Sequence, residues 1–220
     1  MTESKRMSPQ EFLDKVGLED WRLLGDGATA YYPTPSFAQS ARLVTALGDL
    51  PGGPSLDVDV RASGVTVRLP NVTEAGYVIT DADADLAQAI SATARDLGLA
   101  GRPEGLQNIQ ICIDALVTAD VLPFWRVVLG YVDRTDGDSD LLDPGRRGPL
   151  TYFQEMDEPR PQRNRVHFDV WVAHDQAEAR VAAAIAAGGR LVTDEHAPTW
   201  WVLADAEGNE ACVCTWQRPD

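Results

Sequence analysis

The side chains best suited to proton transfer and metal binding lie in the second half of the chain. All three histidines follow residue 166, at His167, His174 and His196. Imidazole titrates near neutral pH and is a frequent metal ligand, so histidine chemistry is expected only in this half. His167 stands in a segment that alternates like a strand, and Asp169 and Trp171 therefore share its face. This face could transfer protons or hold an ion.

The three cysteines predict free thiols rather than a disulfide framework. Their number is odd, and Cys212 and Cys214 lie two positions apart in a predicted strand, where their side chains point the same way. Buried free thiols fit a reducing compartment. The first ten residues are polar, and no run of about 18 apolar residues could span a bilayer. We therefore expect a cytoplasmic protein with no membrane partner.

The composition is that of a globular protein with a strongly acidic surface. Of 220 residues, 44% are hydrophobic and 24% are charged, which suits one large domain or two small ones. The 34 acidic and 19 basic residues give a formal charge of -15. This charge repels phosphate backbones and anionic lipid, so we expect no nucleic acid partner. It is compatible with a cationic small-molecule ligand, or simply with a well-solvated surface.

A stretch rich in glycine and proline divides the chain near its middle. The segment Gly98–Gly105 separates two well-patterned halves. We predict a first domain at residues 1–98, a linker at 99–105 and a second domain at 106–220.

The first half predicts an α+β domain in which helices cover one face of an antiparallel sheet. Hydrophobic residues recur there at helical spacing and alternate in a hairpin with one polar face. The predicted elements are a helix at 9–16, strands at 21–24 and 28–32, a helix at 37–47, a hairpin at 56–69 and a helix from Asp81. Thr80 is the predicted N-cap of this last helix, whose buried face should contain Leu86, Ile90, Thr93 and Leu97.

The second half contains one pattern twice: a strand, a helix and then three strands. The first copy runs from 108 to 154, and the second from 166 to 214. Pro123 interrupts the first of the two helices, and it would cost least in the first helical turn. We therefore predict that Asp120 is the N-cap of that helix.

The hairpin Pro54–Leu69 resembles the core hairpin of the pterin-4a-carbinolamine dehydratases, also called 4a-hydroxytetrahydrobiopterin dehydratases. With its flanking segments the resemblance covers residues 8–97. It implies an antiparallel sheet with helices on one face, self-association, and a lyase activity that depends on histidines. Here Pro54 and Ser55 occupy the paired histidine positions, and the loop at 70–76 contains no histidine.

Loss of these imidazoles changes what the first domain is expected to do. Proton transfer on a carbinolamine suits groups that titrate near neutrality. Without them, the domain is expected to be a scaffold or an accessory domain that binds a flat heterocycle. An atypical dehydratase site would use Asp57 and Glu74 as acid and base.

The duplicated half resembles the glyoxalase-like domains of the vicinal-oxygen-chelate (VOC) superfamily. The segments Phe124–Tyr131 and Ala204–Val213 carry this resemblance, which covers residues 106–218. It implies paired βαβββ modules that form a cupped sheet around a ligand, often with a divalent metal. In metal-using members each module supplies two ligands, one from its first strand and one from its last.

The resemblance places His167 at the first-strand ligand position of the second module and Asn108 at the matching position of the first. Cys212 occupies the usual last-strand position, and Glu210 lies one pleat away on the same face. His167 and Glu210 are the predicted catalytic residues. The predicted substrate-binding residues are Asn108, Gln110, Tyr152, Gln154, Asp169, Trp171, Cys212 and Trp200, with Trp201 as the alternative to Trp200.

No cofactor is predicted for this site. Two strong ligands, one possible thiolate and neutral amides fall short of the three or four imidazole, carboxylate or thiolate donors that zinc or nickel normally needs. If a divalent metal binds, His167 and Glu210 are its expected ligands.

Three functions stay open at this point. The first is a lyase- or isomerase-type enzyme that acts on a small molecule in the second domain, with His167 as base or metal ligand and Glu210 as acid. The second is non-catalytic sequestration of a cationic ligand in an acidic, aromatic-lined cleft, as in drug-resistance relatives. The third is a 4a-hydroxytetrahydrobiopterin dehydratase with an atypical site. All three involve a small-molecule ligand, and we also expect a homodimer.

Overall fold

The chain folds into two compact units, whose boundary lies between Ile109 and Gln110. The computed structural model describes residues 4–17, 19–25, 27–70, 72–73, 76–134, 140–159, 166–215 and 217. Within these residues, no helix is long and apolar enough to span a bilayer.

The segment predicted as a linker, residues 99–105, lies within the first unit. The Gly101 N–H donates to the Asp20 carboxylate at 3.1 Å, and the Arg102 N–H donates to the Tyr31 carbonyl at 2.8 Å. Leu99 and Pro103 are buried. The segment is therefore packed and hydrogen-bonded as part of the first unit.

The first unit has the predicted α+β organisation. Its elements are β1 (Arg6–Met7), α1 (Pro9–Val16), β2 (Trp21–Leu24), β3 (Gly27–Pro33), α2 (Phe37–Gly48), β4 (Asp57–Arg61), β5 (Gly64–Pro70), β6 (Val72–Thr73), β7 (Gly76–Tyr77), β8 (Ile79–Thr80) and α3 (Asp81–Asp96). An antiparallel sheet of order β2-β3-β5-β4 buries one face under the helices. Alternate residues of β3 and β5 form that face, as the hydrophobic alternation predicts.

Helix α3 begins where the sequence predicts, but the centre of its buried face is shifted from the predicted one. Thr80 is its N-cap, and its hydroxyl and the Asp83 carboxylate form a capping box. The buried residues are Ala84, Ala87, Ile90, Ser91 and Ala94, whereas Leu86, Thr93 and Leu97 are only half-buried. Leu86 and Leu97 still pack against the same core, so the predicted face forms one side of the buried surface rather than its centre. Small side chains let the helix approach the sheet closely, and the Ser91 hydroxyl accepts a hydrogen bond from the buried Trp21 indole at 3.0 Å.

The second unit confirms the predicted duplication. The first module consists of β9 (Gln110–Ala115), α4 (Thr118–Leu129), β10 (Val132–Asp133), β11 (Leu141–Leu142) and β12 (Leu150–Glu155). The second module consists of β13 (Phe168–Trp171), α5 (Ala177–Ala186), β14 (Arg190–Thr193), β15 (Trp200–Ala204) and β16 (Glu210–Cys214). The sheets have matching orders, β10-β11-β12-β9 and β14-β15-β16-β13, and in each the first and last strands pair in parallel.

Helix α4 starts earlier than predicted because of a contact from the other module. Val117 is its N-cap, so Asp120 is the third helical residue and Pro123 lies inside the helix. The Glu207 carboxylate accepts hydrogen bonds from the backbone N–H groups of Leu116 at 2.7 Å and Val117 at 2.9 Å. These bonds fix the start of the helix, at the cost of the backbone bond that Pro123 cannot donate.

One buried carboxylate joins the two modules. Asp205, which follows β15, is fully buried. It accepts hydrogen bonds from the Trp125 indole at 2.9 Å, from the Asn209 side chain at 2.7 Å and from the N–H groups of Glu207 and Asn209 at 3.0 and 2.8 Å. Trp125 belongs to α4 and packs edge-to-face against Phe168 of the second module, with ring centroids 5.6 Å apart. The turn after β15 is therefore fixed against α4.

Replacing Asp205 by alanine should destabilise the second unit by about 3 kcal/mol, because buried donors lose their acceptor. Urea unfolding followed by tryptophan fluorescence measures this change. Asp205→Asn keeps the shape and one acceptor oxygen, so it should lose less stability. The exposed Asp157→Ala is the control, with an expected change under about 0.5 kcal/mol. An Asp205→Ala variant as stable as the wild type would show that other contacts hold the turn.

Candidate functional site

The first module presents a polar face centred on an exposed thiol. Alternation places Gln110, Cys112 and Asp114 of β9 on one side of the sheet, and the register adds Tyr152 and Gln154 of β12. The Cys112 Sγ lies 3.8 Å from an oxygen of Asp114 and 3.8 Å from the amide oxygen of Gln154. A hydrogen bond with Cys112 raises the pKa of the Tyr152 phenol. This face can donate and accept hydrogen bonds to a polar ligand.

The second module gathers an imidazole, a carboxylate and a thiol. The ligand atoms of His167, Asp169 and Cys212 all lie within 4.8 Å of one another, and His167 Nε2 is 3.4 Å from Asp169 Oδ1. Asp169 and Cys212 are register partners on the parallel strands β13 and β16. The side chains of His167 and Asp169 are 50% and 53% exposed, whereas Cys212 is buried. Among the described residues, no other group of three such side chains converges in this way.

The thiols of β16 are held in the protonated form. Burial, together with a hydrogen bond to Asp169, raises the pKa of Cys212 to about 12. Burial and the charge of Asp169 raise the pKa of Cys214 to about 11. Neither thiol is therefore a thiolate at neutral pH unless a cation binds beside it.

A cavity of about 480 Å³ lies where the two modules meet, and we call it the seam cavity. The first module contributes residues of β9, α4 and the segment after β12, and the second contributes residues around β13 and the turn before β16. Its lining consists of Cys112, Ile113, Asp114, Leu116, Trp125, Met156, Pro159, Val166, Phe168, Ala206, Glu207, Gly208, Asn209 and Glu210. Glu210 connects the cavity to the second module, because it lies two residues before Cys212 on the same face of β16.

Seven of the ten predicted site residues fall into three places. His167, Asp169 and Cys212 converge, Glu210 lines the seam cavity, and Gln110, Tyr152 and Gln154 surround Cys112. Their roles stay predictions. Trp171 is 67% exposed at the end of β13.

Two of the sequence-based interpretations need particular comment. Asn108 lies outside β9, in the first unit, where its side-chain oxygen accepts a hydrogen bond from the Gly25 N–H at 3.4 Å. Of the adjacent tryptophans, Trp201 packs in the core, whereas Trp200 is half-buried and contacts the His196 ring with centroids 4.4 Å apart.

The sequence analysis missed two carboxylates that line the seam cavity. Asp114 shares a face of β9 with Cys112, so strand alternation could have revealed it. Glu207 lies in a turn, and nothing in its local sequence indicates that it reaches the start of α4.

The first module has its own version of the turn that contains Asp205. Asp143 accepts hydrogen bonds from the N–H groups of Gly145, Arg147 and Gly148, each at 2.8 Å. Burial alone would raise the pKa of Asp143, but these bonds outweigh it and lower that pKa. An acidic residue therefore organises the turn before the last strand in both modules.

Comparison with known proteins gives a family match for the second unit. Residues 110–214 match the family model described as a glyoxalase-like domain. No curated protein matches the chain.

Several solved structures are similar to about half of the chain. A glyoxalase/bleomycin resistance protein from Albidiferax ferrireducens is 17% identical, over 50% of this chain and 97% of its own, with a TM-score of 0.39. The fosfomycin resistance protein FosX from Mesorhizobium loti is 10% identical, over 52% and 93%, with a TM-score of 0.39. A mutant FosX from Listeria monocytogenes, complexed with Mn(II) and 1S,2S-dihydroxypropylphosphonic acid, is 12% identical, over 50% and 89%, with a TM-score of 0.38. The family match thus supports a glyoxalase-like domain at residues 110–214 of this chain.

Proposed function

We propose that the glyoxalase-like domain is a lyase- or isomerase-type enzyme that acts on a small organic molecule held in the seam cavity. One observation carries this proposal. Glu210 lines the cavity and shares a face of β16 with Cys212, which belongs to the group of His167, Asp169 and Cys212. A carboxylate able to transfer protons thus lines a ligand-sized cavity and stands two residues from one of the metal donors on the same strand.

The donor set suits a divalent metal. His167 and Asp169 are already 3.4 Å apart, and donors around one tetrahedral ion are about 3.3 to 3.8 Å apart for typical bond lengths. Three protein donors leave a position for substrate or water, as in catalytic rather than structural sites. Bound there, a divalent metal would supply Lewis acidity that polarises a substrate oxygen. Glu210, predicted as a second ligand, is outside this group, and we assign it the proton transfer.

The remaining lining residues bind and orient the substrate. Trp125 and Phe168 form an apolar wall, and their edge-to-face packing makes it rigid. Cys112 belongs both to this lining and to the polar face of the first module. A substrate with one apolar side and several hydroxyl or carbonyl groups matches these surfaces.

Glu210→Gln should lower kcat at least about 100-fold while leaving substrate binding intact, because the amide cannot transfer the proton. Native mass spectrometry of freshly purified protein identifies a retained compound, and NMR then follows its conversion after it is added back. A lyase splits the compound, and an isomerase leaves its mass unchanged. The control is Glu178→Gln on the exposed side of α5, which should convert the compound at the wild-type rate.

The result that contradicts this proposal is a retained compound that the wild-type protein does not change. Equal rates for Glu210→Gln and the wild type would show that Glu210 does not transfer the proton. That result would not contradict the assignment as an enzyme.

A second candidate is non-catalytic sequestration of an organic cation. Asp114, Glu207 and Glu210 place three carboxylates among the described lining residues, none of which is basic. Two aromatic rings lie beside them, and flat cations interact favourably with both groups.

If the cavity holds cations, Asp114→Asn should weaken binding of the cationic dye thioflavin T about fivefold, the loss expected for one nearby charge. Fluorescence titration at low ionic strength measures the Kd, with the anionic dye 8-anilinonaphthalene-1-sulfonate as the opposite probe. The matched control is Asp157→Asn, an exposed carboxylate outside the lining. Tighter binding of the anionic dye than of the cationic dye would contradict a cation site.

For the first unit we propose an accessory role, as a scaffold or as a binding domain for a flat heterocycle. Asp57, predicted as a possible acid, is held by Arg68, which donates to one carboxylate oxygen at 2.9 and 3.2 Å. This ion pair favours a structural role for Asp57. Glu74 lies outside the described residues. The dehydratase activity, the homodimer and the cytoplasmic location stay predictions.

A further inference from the structure

We propose that His167, Asp169 and Cys212 form a thiolate-containing metal site that selects Zn²⁺ or Co²⁺ over Mn²⁺ or Mg²⁺. This inference rests on the proposed function. It names the ion class, keeps the predicted ligand His167, and puts Asp169 and Cys212 in place of the predicted ligand Glu210. The ligand set contains one sulfur, one nitrogen and one carboxylate, all within 4.8 Å of one another.

The fold fixes the sulfur more firmly than the other two donors. Cys212 is 7% exposed on β16, which has strands paired on both sides. Asp169 and His167 are about half exposed on the neighbouring edge strand and the residue before it. The thiol is therefore a fixed anchor, and the two exposed side chains can move to complete the site and leave a position open to solvent.

The order of the three groups argues against a cysteine nucleophile. A nucleophilic thiol needs an imidazole or another cation beside it to favour the thiolate. Here the Asp169 carboxylate accepts a hydrogen bond from the Cys212 thiol and is also 3.4 Å from the His167 imidazole. A carboxylate in this position disfavours the thiolate, whereas a divalent cation among the three donors would satisfy all of them.

The chemistry of the donors determines the ion. Thiolate and imidazole favour zinc and cobalt, whereas magnesium and manganese favour six oxygen donors. The group offers a single carboxylate. On binding, the Cys212 S–H bond breaks, the proton leaves to solvent and the sulfur lone pair forms the bond to the metal, while His167 binds as neutral imidazole.

Cobalt spectroscopy on the full chain tests this site without any substrate. Chelator-treated protein titrated with CoCl₂ should develop a near-ultraviolet band from thiolate-to-cobalt charge transfer that saturates at one ion per chain. ZnCl₂ should abolish the band by displacement, and MgCl₂ or MnCl₂ at the same concentration should not. Cys212→Ser should lose the band and weaken zinc binding at least about tenfold.

Two further variants test which side chains bind the metal. Cys112→Ser removes the exposed thiol of the first module and should keep the full band. Asp169→Asn changes a half-exposed residue. It should keep the band while weakening cobalt binding, because the thiolate stays but a charged ligand is lost.

Cobalt binding without the band, or a band that survives Cys212→Ser, overturns the inference. If Glu210→Gln abolishes cobalt binding and Asp169→Asn does not, the ligands are the predicted pair His167 and Glu210, and the inference fails while the proposed enzyme stands. No cobalt binding at all overturns the inference, and conversion of the retained compound by metal-free protein then decides the proposed function separately.

Discussion

The seam cavity depends on the hydrogen bonds that satisfy one buried carboxylate. Asp205 is fully buried, and removing a carboxylate from water is tolerable only if strong donors replace the water. Those donors come from Trp125 in the first module and from the turn of the second. The bonds therefore hold one wall of the cavity against the other and place Glu210, the next residue after that turn, at its edge.

Duplication gave the domain two similar sheets that now offer different chemistry. Both modules have the same strand order, and both use an acidic residue, Asp143 or Asp205, to organise the turn before the last strand. The first module presents hydrogen-bonding groups around Cys112, among them the Asp114 carboxylate, and the second presents the metal donors. A substrate between them would meet a recognition surface on one side and a reactive surface on the other.

The sequence predicts what local periodicity controls and fails where distant contacts decide. Strand alternation correctly puts Asp169 on the face of His167. Helical spacing predicts the helices of the first unit. Local periodicity gives the wrong start for α4, because the hydrogen bonds that fix the start of this helix come from Glu207, about 90 residues away. It also fails to place Asn108, whose partner Gly25 belongs to the first unit. That Cys212 lies opposite Asp169 follows from strand register, which alternation alone does not specify.

The charge in and around the seam cavity connects the two proposed functions. Without a metal, the described lining of the seam cavity has three carboxylates and no basic residue, which attracts cations. A divalent ion on His167, Asp169 and Cys212 would add two positive charges beside Glu210 and release only the thiol proton. The local field would then favour a substrate with a partly negative oxygen. Metal occupancy would thus decide whether the cavity attracts a cation or holds an oxygen-bearing substrate for reaction.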